Sequence, residues 1–396
     1  MNRRDFLAAG AAVAPLFVPR SAFGANDRPA FGTIATGSRG RYLNSAFQKL
    51  GAQCVALCDV YQPYLEEAKK TSPAGVKAVV DYRDLLATKG LDFVVVASPD
   101  HHHRPMLLDA LKAGLDVYTE KPLSLNLEES RIMVEAAKKS KQIVQVGMQR
   151  RSTPFIREAR QFIADGGLGK ISMVEAFWNW HFTMPLSNDP LPGELDWPRF
   201  LGPAPKRPLE PRRFRWWRGF WDYSGGNTTD QGTHLMDVVQ WMTNSGPPLT
   251  ATCIGRVVEA EGAEAPNVFT AAFEYPEFIA TWTLNYRSTY RNDWWIVFRG
   301  EKATLTLNRK GSQLYPDPGP SPAPWSVEEN EKPAQEKRDP FIAEPHMQNF
   351  LDCIKTRQQP NCPPEVAAAS VAGPHLANIA YRESRKVKLG PDGRAA

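Results

Sequence analysis

The sequence predicts a two-domain α/β protein: a domain with a doubly wound parallel sheet, followed by an α+β domain with a largely antiparallel, open sheet. Three observations predict this fold. The chain has 396 residues, too many for one ordinary hydrophobic core. Residues 28–150 alternate apolar strands with helices, the pattern of βαβ units. Residues 151–390 contain successive strands in which apolar and polar residues alternate, as in antiparallel sheets with one solvated face.

The first domain is expected to start as strand, turn and helix, and to repeat that order. The run at 91–97 is apolar and rich in β-branched residues, which is typical of a strand buried on both faces of a parallel sheet. The helix expected at 104–113 should end at Gly114, which is its C-cap. The expected strands are 31–36, 53–60, 91–97, 116–119 and 143–147, and the expected helices are 41–50, 62–70, 104–113 and 127–139.

The second domain begins with a helix and continues mainly as strands. Residues 183–225 are rich in proline, arginine and tryptophan, and residues 316–333 are rich in proline and glutamate, so both are expected to be loops. The expected helices are 153–164, 346–355 and 364–385, and the expected strands are 172–180, 267–275, 280–286 and 294–299.

Composition excludes several classes of protein. Hydrophobic residues make up 42% and charged residues 23%, the balance of a soluble globular chain. The net charge is +5 without a dense lysine and arginine stripe, so we expect no nucleic-acid partner. The five cysteines form no CxxC pair, which indicates neither a disulfide framework nor a zinc knuckle.

The N-terminus resembles a twin-arginine export signal over residues 1–24. Arg3-Arg4 precedes an apolar run at 7–18, and Ala22 and Gly24 supply small residues for cleavage after Gly24. The run is too short to span a bilayer, so we expect no stable membrane insertion. The sequence therefore predicts a periplasmic or otherwise exported protein; an uncleaved anchor is the alternative.

The turn after the first strand predicts a dinucleotide site. In a G-x-G-x-x-G pattern, Gly37 and Gly40 take the second and third glycine positions, while Ala35 replaces the first. The second glycine lets backbone amides approach a pyrophosphate, and the amides of the following helix hold the anion. The expected contacts from this Rossmann turn are Thr36, Gly37, Ser38, Arg39, Gly40 and Arg41.

Asp59 ends the second strand, nineteen residues after Gly40, where an acidic side chain binds the adenosine ribose hydroxyls. A carboxylate repels a 2′-phosphate and so favours NAD over NADP. Arg39 and Arg41 lie near enough in sequence to reverse this preference, so NADP stays open. A solvated residue at the strand end is the alternative interpretation of Asp59.

The segment Ser98-Pro99-Asp100-His101-His102-His103, followed by Ala113-Gly114 and Glu120-Lys121-Pro122, resembles the Gfo/Idh/MocA oxidoreductases, which include glucose–fructose oxidoreductase and inositol dehydrogenase. The resemblance implies that Lys121 reaches both the nicotinamide and the reacting hydroxyl. It further implies that the cofactor pocket is lined by Ser98, Pro99, His103 and Glu120.

A second stretch that resembles this family runs from Gly225-Gly226 through Asp230 and Gly232 to His234. Asp230 and His234 are four residues apart and would share one helix face. The resemblance places both in the substrate site opposite Lys121; a capping Asp230 and an internally packed His234 are the alternative.

Other positions carry over from the resemblance less specifically. Gln149 matches a position near the nicotinamide, and Arg150 one near the substrate. Trp217 and Arg218 resemble a pair that contacts the cofactor in some members. Trp180, in an aromatic strand, is expected to stack on a sugar ring, and ordinary packing in the core is the alternative.

The three consecutive histidines, 101–103, do not indicate a metal site. Neighbouring side chains point in different directions, and no carboxylate or cysteine lies at helical ligand spacing.

These residues predict hydride transfer between a sugar or polyol carbon and a tightly bound nicotinamide, with Lys121 and His234 moving the hydroxyl proton and Asp230 orienting His234 or a second hydroxyl. A redox-neutral enzyme that cleaves glycosides through a transient keto-sugar is one alternative, and a non-catalytic sugar- or dinucleotide-binding protein is another. As in the family, the open sheet is expected to form a homodimer or homotetramer.

Overall fold

The computed structural model describes residues 28–317, 333–338 and 342–396. The predicted export signal, residues 1–24, lies outside the described residues, and so does most of the loop predicted at 316–333. No helix within the described ranges combines the length and apolar character that crossing a bilayer requires.

The first domain contains a parallel sheet of six strands in the order β3-β2-β1-β4-β5-β6. The strand order reverses direction between β1 and β4. Doubly wound folds bind ligands in the crevice at this point, at the carboxyl ends of the strands. The strands are β1 (Ala30–Ile34), β2 (Gln53–Cys58), β3 (Lys77–Val79), β4 (Phe93–Val96), β5 (Asp116–Thr119) and β6 (Val144–Val146), and the helices are α1 (Ser38–Lys49), α2 (Gln62–Lys69), α3 (Tyr82–Leu86), α4 (His103–Lys112) and α5 (Leu127–Lys139).

The central strand β4 shows why an unbroken apolar run forms this sheet. All four of its side chains are fully buried. Phe93 packs in a cluster with Phe47 of α1, whereas Val94, on the opposite face, packs with Leu107 of α4. A strand covered by helices on both faces can have no polar side, so its sequence cannot alternate.

The second domain contains a nine-stranded sheet in the order β14-β13-β12-β11-β7-β10-β9-β8-β15. Its strands pair antiparallel except for the central pair, β7 and β10, which is parallel. The strands are β7 (Ile171–Asn179), β8 (Thr250–Arg256), β9 (Val268–Glu274), β10 (Ile279–Asn285), β11 (Trp294–Gly300), β12 (Ala303–Asn308), β13 (Gly311–Pro316), β14 (Gln335–Arg338) and β15 (Val387–Lys388).

Helices cover one face of this sheet and leave the other face open. Phe155 of α6, Leu235 of α10 and Leu376 of α12 pack on the covered face. The open face exposes side chains such as Ile254 and Thr270. The helices of this part of the chain are α6 (Pro154–Ala164), α7 (Trp197–Leu201), α8 (Pro211–Arg215), α9 (Gly226–Asp230), α10 (Gly232–Thr243), α11 (Glu344–Thr356) and α12 (Pro364–Glu383).

Helix α11 lies in the predicted second domain by sequence but packs on the first sheet. Its Phe350 contacts the rings of Phe47, Phe93 and Tyr118 at centroid distances between 5.3 and 6.1 Å. The chain therefore returns to the first domain near its end, and this helix joins the two domains.

The expectation of a loop at 183–225 is wrong in part, because α7 and α8 form there. Residues 191–203, called the strap below, lie across the first domain. The Tyr61 hydroxyl donates to the Pro192 carbonyl, and the Asp196 amide donates to the Val60 carbonyl at 2.8 Å. The strap therefore brings part of the second domain to the carboxyl end of β2.

Candidate functional site

A cavity of about 670 Å³ separates the carboxyl ends of β1, β2 and β4 from the second domain. On the side of the first sheet it is lined by Gly37, Ser38 and Arg39 of the glycine turn, and by Asp59, Ser98 and Pro99 at the strand ends. On the other side it is lined by Pro198–Pro203, except Leu201, and by 214–218. The cavity therefore lies at the topological switch point, where a dinucleotide is expected.

The glycine turn has the close packing that its sequence predicts. A Cβ on Gly40 would lie 1.9 Å from the Ala35 carbonyl oxygen, so only glycine allows α1 to start this close to the turn. Ala35 itself has φ of 67°, in the left-handed region that glycine normally takes. No side chain caps α1, so its first amides are available to an anion.

Asp59 holds the turn from beneath as well as lining the cavity. Its carboxylate accepts the Thr36 amide at 2.6 Å, the Thr36 hydroxyl at 3.1 Å and the Tyr61 amide at 2.9 Å. Burial raises the pKa of this carboxyl to about 6, although these hydrogen bonds act in the opposite direction. Asp59 is therefore no solvated strand end: it fixes Thr36 and presents a buried carboxylate beside the predicted ribose position.

The two arginines of the turn have different partners. Arg39 donates from Nε to Glu120 at 2.9 Å and lies over the Tyr42 ring. Arg41 donates to the Thr36 carbonyl at 2.8 Å, and its charge acts to lower the pKa of Asp59.

Glu120 and Gln149 form a buried support behind the predicted nicotinamide position. Gln149 Nε2 donates to Glu120 and to the Tyr118 hydroxyl, both at 3.3 Å. Glu120 in turn accepts from Arg39 of α1, so it connects the glycine turn to the Glu120-Lys121-Pro122 segment.

A dinucleotide fits this cavity on the evidence of its walls. The first amides of α1 lack a side-chain cap, and a Cβ at Gly37 would come no closer to a neighbouring atom than 3.7 Å, at the Tyr64 ring. Ser98 Oγ is buried and has no hydrogen-bond partner within the described part of the chain. An unsatisfied hydroxyl next to free helix amides is the donor set that phosphate and ribose oxygens require.

The three consecutive histidines bind backbone carbonyls. The Phe200 carbonyl, in the strap, accepts from Nε2 of His101 at 2.9 Å and of His102 at 2.8 Å. The ring nitrogens of His103 lie 2.9 Å from the Ser98 carbonyl and 2.7 Å from the Pro122 carbonyl. His103 therefore supports the cavity wall from behind, while His102 lines the cavity itself.

Across the described residues, no group of three or more histidine, cysteine, aspartate or glutamate side chains is arranged to hold a metal ion.

Lys121 forms an ion pair that links the two domains. Its Nζ donates to Asp230 Oδ1 at 2.6 Å and to the Asp230 carbonyl at 2.7 Å. Arg218 Nε lies 3.2 Å from the same carboxylate oxygen. Burial would raise the pKa of Asp230, yet the charges of Arg218 and Lys121 lower it to about 2. Asp230 is therefore a carboxylate that organises two cations at the end of the cavity.

Asp230 and His234 do not lie on one continuous helix, contrary to the sequence expectation. Asp230 is the last residue of α9, Gln231 separates the two helices, and His234 lies in the first turn of α10. Asp230 binds Lys121 and Arg218, and it makes no hydrogen bond to His234. Burial, reinforced by the charges of Arg150 and Lys121, lowers the pKa of His234 well below its ordinary value, so the imidazole is neutral at pH 7.

Arg150 and Trp180 occupy different surroundings. Arg150 is buried, with its guanidinium 4.4 Å from the Trp294 ring centroid, and burial lowers its pKa to about 9. Trp180 follows β7 and is exposed, as expected for a residue that meets a ligand.

Sequence reasoning missed three features of the site. The strap forms one wall of the cavity. The proline, arginine and tryptophan content of this segment predicted a loop, but gave no sign that it lines the site. Arg218 was expected at the cofactor, and its pairing with Asp230 was not foreseen. Asp100 is buried and accepts the Ser224 hydroxyl at 2.8 Å, which ties the histidine turn to the start of α9.

Comparison with known protein families gives two matches. The oxidoreductase family with the NAD-binding Rossmann fold matches residues 31–148, and the C-terminal alpha/beta domain of the oxidoreductase family matches residues 161–255.

One curated relative is the inositol 2-dehydrogenase of Rubrobacter xylanophilus, which is 32% identical over 161 residues, 40% of this chain and 45% of that protein. The alignments with this relative and with two further curated relatives span about a third to a half of the length of those proteins.

Solved structures share the fold over nearly the whole chain. The WlbA dehydrogenase of Bordetella pertussis, in complex with NADH and UDP-GlcNAcA, has a TM-score of 0.70 at 19% identity and covers 92% of this chain and 99% of that one. The aldose-aldose oxidoreductase of Caulobacter crescentus, complexed with glycerol, has a TM-score of 0.68 at 18% identity and covers 91% and 100%. The two family matches, the parallel sheet and its glycine turn lead to one conclusion: the chain belongs to the Gfo/Idh/MocA oxidoreductase family, and its first domain is an NAD-binding Rossmann domain.

Proposed function

We propose that this protein is an NAD(P)-dependent oxidoreductase that transfers a hydride between a sugar or polyol carbon and a tightly bound nicotinamide. One observation carries the proposal: Lys121 and Asp230 form a buried ion pair beside the dinucleotide cavity, the partly exposed Arg218 completes the ion cluster, and a neutral His234 lies near it. A binding protein without catalytic activity has no need of this set of proton-handling groups.

Each residue of the cluster has a separate task in this mechanism. His234 is neutral and takes the proton of the reacting hydroxyl. Lys121 donates two hydrogen bonds to Asp230, which leaves its third N–H for the substrate oxygen. Asp230 holds Lys121 and Arg218 in place, and this fixed geometry stabilises charge that develops on the oxygen. A bound nicotinamide supplies the hydride acceptor.

The sugar or polyol class is supported by the cluster and by the relatives. When a ring carbon loses a hydride and its hydroxyl loses a proton, that oxygen needs a base and a hydrogen-bond donor, as His234 and Lys121 provide. Relatives of this chain are named for inositol, and structural neighbours are named for aldoses or were solved with a nucleotide sugar.

The strap supports a cofactor that stays bound between turnovers. It covers the cavity beside Asp59 and is fixed to the first domain by the Tyr61 hydroxyl, by Arg199 at 3.4 Å from Asp81, and by the histidines on Phe200. A retained cofactor suits reactions that regenerate it in place. These are oxidation of one sugar paired with reduction of another, and glycoside cleavage in which the hydride returns to the sugar.

The test is to purify the protein from the cytoplasm and to follow nicotinamide absorbance while sugars, polyols and glycosides are added and products are analysed. We expect reduced cofactor together with a keto-sugar. Release of an aglycone without net reduction would instead support glycoside cleavage. A protein that purifies without a dinucleotide, and binds none when it is supplied, would contradict the proposal.

We further propose that the protein is exported through the twin-arginine pathway and assembles as a homodimer or homotetramer. The signal at 1–24 supports export, and this pathway carries proteins that have already folded around a cofactor. The open face of the nine-stranded sheet supports self-association. Fractionation of cells expressing the full chain and an Arg3→Lys, Arg4→Lys variant tests the first proposal, and light scattering tests the second.

A further inference from the structure

Four aromatic side chains form a continuous row beside the ion cluster. The Trp180 and Tyr286 rings meet edge to face at 5.8 Å, and Trp180 lies 5.0 Å from Phe182. Phe182 in turn lies 5.9 Å from Tyr286 and 5.0 Å from Trp216. The end of β7, the end of β10 and the start of the 216–218 turn therefore all contribute to one aromatic cluster, in which the buried Tyr286 ring is the base and Trp180, Phe182 and Trp216 keep some exposure.

The inner end of the row reaches the ion cluster. The Tyr286 hydroxyl accepts a hydrogen bond from the Gln231 amide, and Gln231 directly follows Asp230. Burial raises the pKa of Tyr286, the charge of Asp230 raises it further and the charge of Arg218 opposes this. Trp216 lines the cavity together with Arg218 of the ion cluster.

The outer end of the row is open to solvent. Trp180 is 41% exposed, and it is the only exposed tryptophan among those that the structure describes. Phe182 and Trp216 are partly buried. By contrast Trp178, two residues earlier on the same strand, has the buried Arg150 guanidinium 5.7 Å from its ring. Packing in the protein therefore accounts for Trp178 but leaves a face of Trp180 uncovered.

Polar groups that could orient a ligand lie at the inner end of this row. Gln231 is more than nine-tenths buried, and its Oε1 has no hydrogen-bond partner in the described ranges of the chain. Arg287, the residue after Tyr286, has a buried Nε that likewise lacks a partner there. Aromatic walls with a few precisely placed polar atoms are typical of small-molecule sites.

We propose that this row is a second sugar subsite, which binds the ring next to the one that is oxidised, so that the preferred substrates are disaccharides or other glycosides. A pyranose has an apolar C–H face that packs on aromatic rings, while its hydroxyl groups point outward to polar partners. The row offers both kinds of partner, and it begins at the ion cluster where the first ring reacts. This inference rests on the proposed function and specifies its substrate class.

The test compares sugars that share one ring. Isothermal titration calorimetry and steady-state kinetics are run on the protein with its bound cofactor, using glucose, methyl glucosides, cellobiose and maltose, and then galactose, methyl galactosides, lactose and melibiose. We expect at least one disaccharide to bind more tightly than its parent monosaccharide and than the corresponding methyl glycoside, which lacks the second ring. Trp180→Ala should reduce this preference about threefold to tenfold, mainly through KM.

Two further variants separate stacking from a general loss of structure. Trp180→Phe keeps an aromatic ring and should retain most of the preference. Leu249→Ala removes an exposed apolar side chain at the start of β8 and should leave the preference unchanged.

Two results would overturn the second subsite while the proposed function stands: monosaccharides that bind and react as well as their glycosides, or a Trp180→Ala variant that weakens both equally. Failure to bind or oxidise any sugar of the panel would overturn the proposed function together with the subsite.

Discussion

The ammonium of Lys121 lies 2.6 Å from the carboxylate of Asp230, and the two residues belong to different domains. Lys121 follows β5 of the parallel sheet, whereas Asp230 ends α9 of the second domain. Both are largely buried, with side-chain exposures of 13% and 9%. The ion cluster therefore forms only when the two domains are packed together, and the side chain of Asp230 fixes the position of the lysine.

Asp230→Asn is expected to lower kcat by about two orders of magnitude under the proposed function. The amide keeps the shape of the side chain but removes the negative charge that holds Lys121 and Arg218. Because Asp230 does not line the cavity beside Asp59, affinity for the cofactor should change much less than kcat. Steady-state kinetics with saturating cofactor measure the first quantity, and titration with NADH fluorescence measures the second.

Asp222→Asn is a matched control, since Asp222 also pairs with an arginine, Arg207, but lies outside the cluster. It should leave kcat within about twofold. Equal losses of activity in the two variants would indicate that any removed ion pair disturbs the fold, and the assignment of Asp230 would then be wrong.

Asp100→Asn is expected to stabilise the protein above pH 7. Burial raises the pKa of this carboxyl from 3.8 to about 6, so the folded state binds the proton more tightly than the unfolded state. The resulting stabilisation is fully present below about pH 3.8 and is lost as the pH rises through 6. A neutral amide avoids this loss and still accepts the Ser224 hydroxyl.

The gain in unfolding free energy should be up to about 3 kcal/mol at pH 8 and should shrink towards pH 4. Urea unfolding of both proteins at pH 4.5, 6 and 8 measures it. A variant that is less stable than the wild type by the same amount at every pH would show that Asp100 is held by contacts that an amide cannot replace.

Much of the parallel sheet could be predicted because its strands are apolar in sequence and buried in the structure. The run at 91–97 contains the strand Phe93–Val96, and the helix expected at 41–50 is α1, although it begins three residues earlier, at Ser38. The strap could not be predicted, because short helices such as α7 contain too few residues to show an apolar period.

The chemistry of the site depended on long-range contacts that no local pattern encodes. Lys121, Asp230 and His234 were predicted as site residues, but their pairing was not. The sequence spacing suggested a helical Asp230–His234 pair; the break at Gln231 and a lysine 109 residues away in sequence gave Asp230 a different partner.

Tyr61→Phe is expected to speed the release of the cofactor about threefold to tenfold. The Tyr61 hydroxyl donates to the Pro192 carbonyl, and its loss removes one of the bonds that hold the strap over the cavity. A neutral hydrogen bond of this kind contributes about 1 kcal/mol. Stopped-flow fluorescence of bound NADH, displaced by excess NAD, measures the dissociation rate constant.

Tyr82→Phe supplies the comparison for this rate. Tyr82 lines the cavity, and its hydroxyl donates to Asp109 within the first domain, at 2.6 Å, and not to the strap. Its release rate should match that of the wild type. If both variants release NADH equally fast, the strap does not retain the cofactor.

Ala35→Gly is expected to stabilise the protein without its cofactor by about 1 kcal/mol. Ala35 has φ of 67°, where the Cβ of an L-residue crowds the following carbonyl, and a glycine there avoids that strain. The greater freedom of glycine in the unfolded chain reduces the gain but does not cancel it. Thermal unfolding of the two proteins, stripped of dinucleotide, measures the difference.

Ala87→Gly is the matched control, because Ala87 ends α3 with φ of −76°, an ordinary conformation for alanine. The same substitution there should lower stability by about 0.5 to 1 kcal/mol, since glycine only adds freedom to the unfolded chain. The two substitutions should therefore change the unfolding temperature in opposite directions. If Ala35→Gly lowered it as Ala87→Gly does, the left-handed conformation at the turn would carry no strain, and alanine at the first glycine position would have no cost in stability.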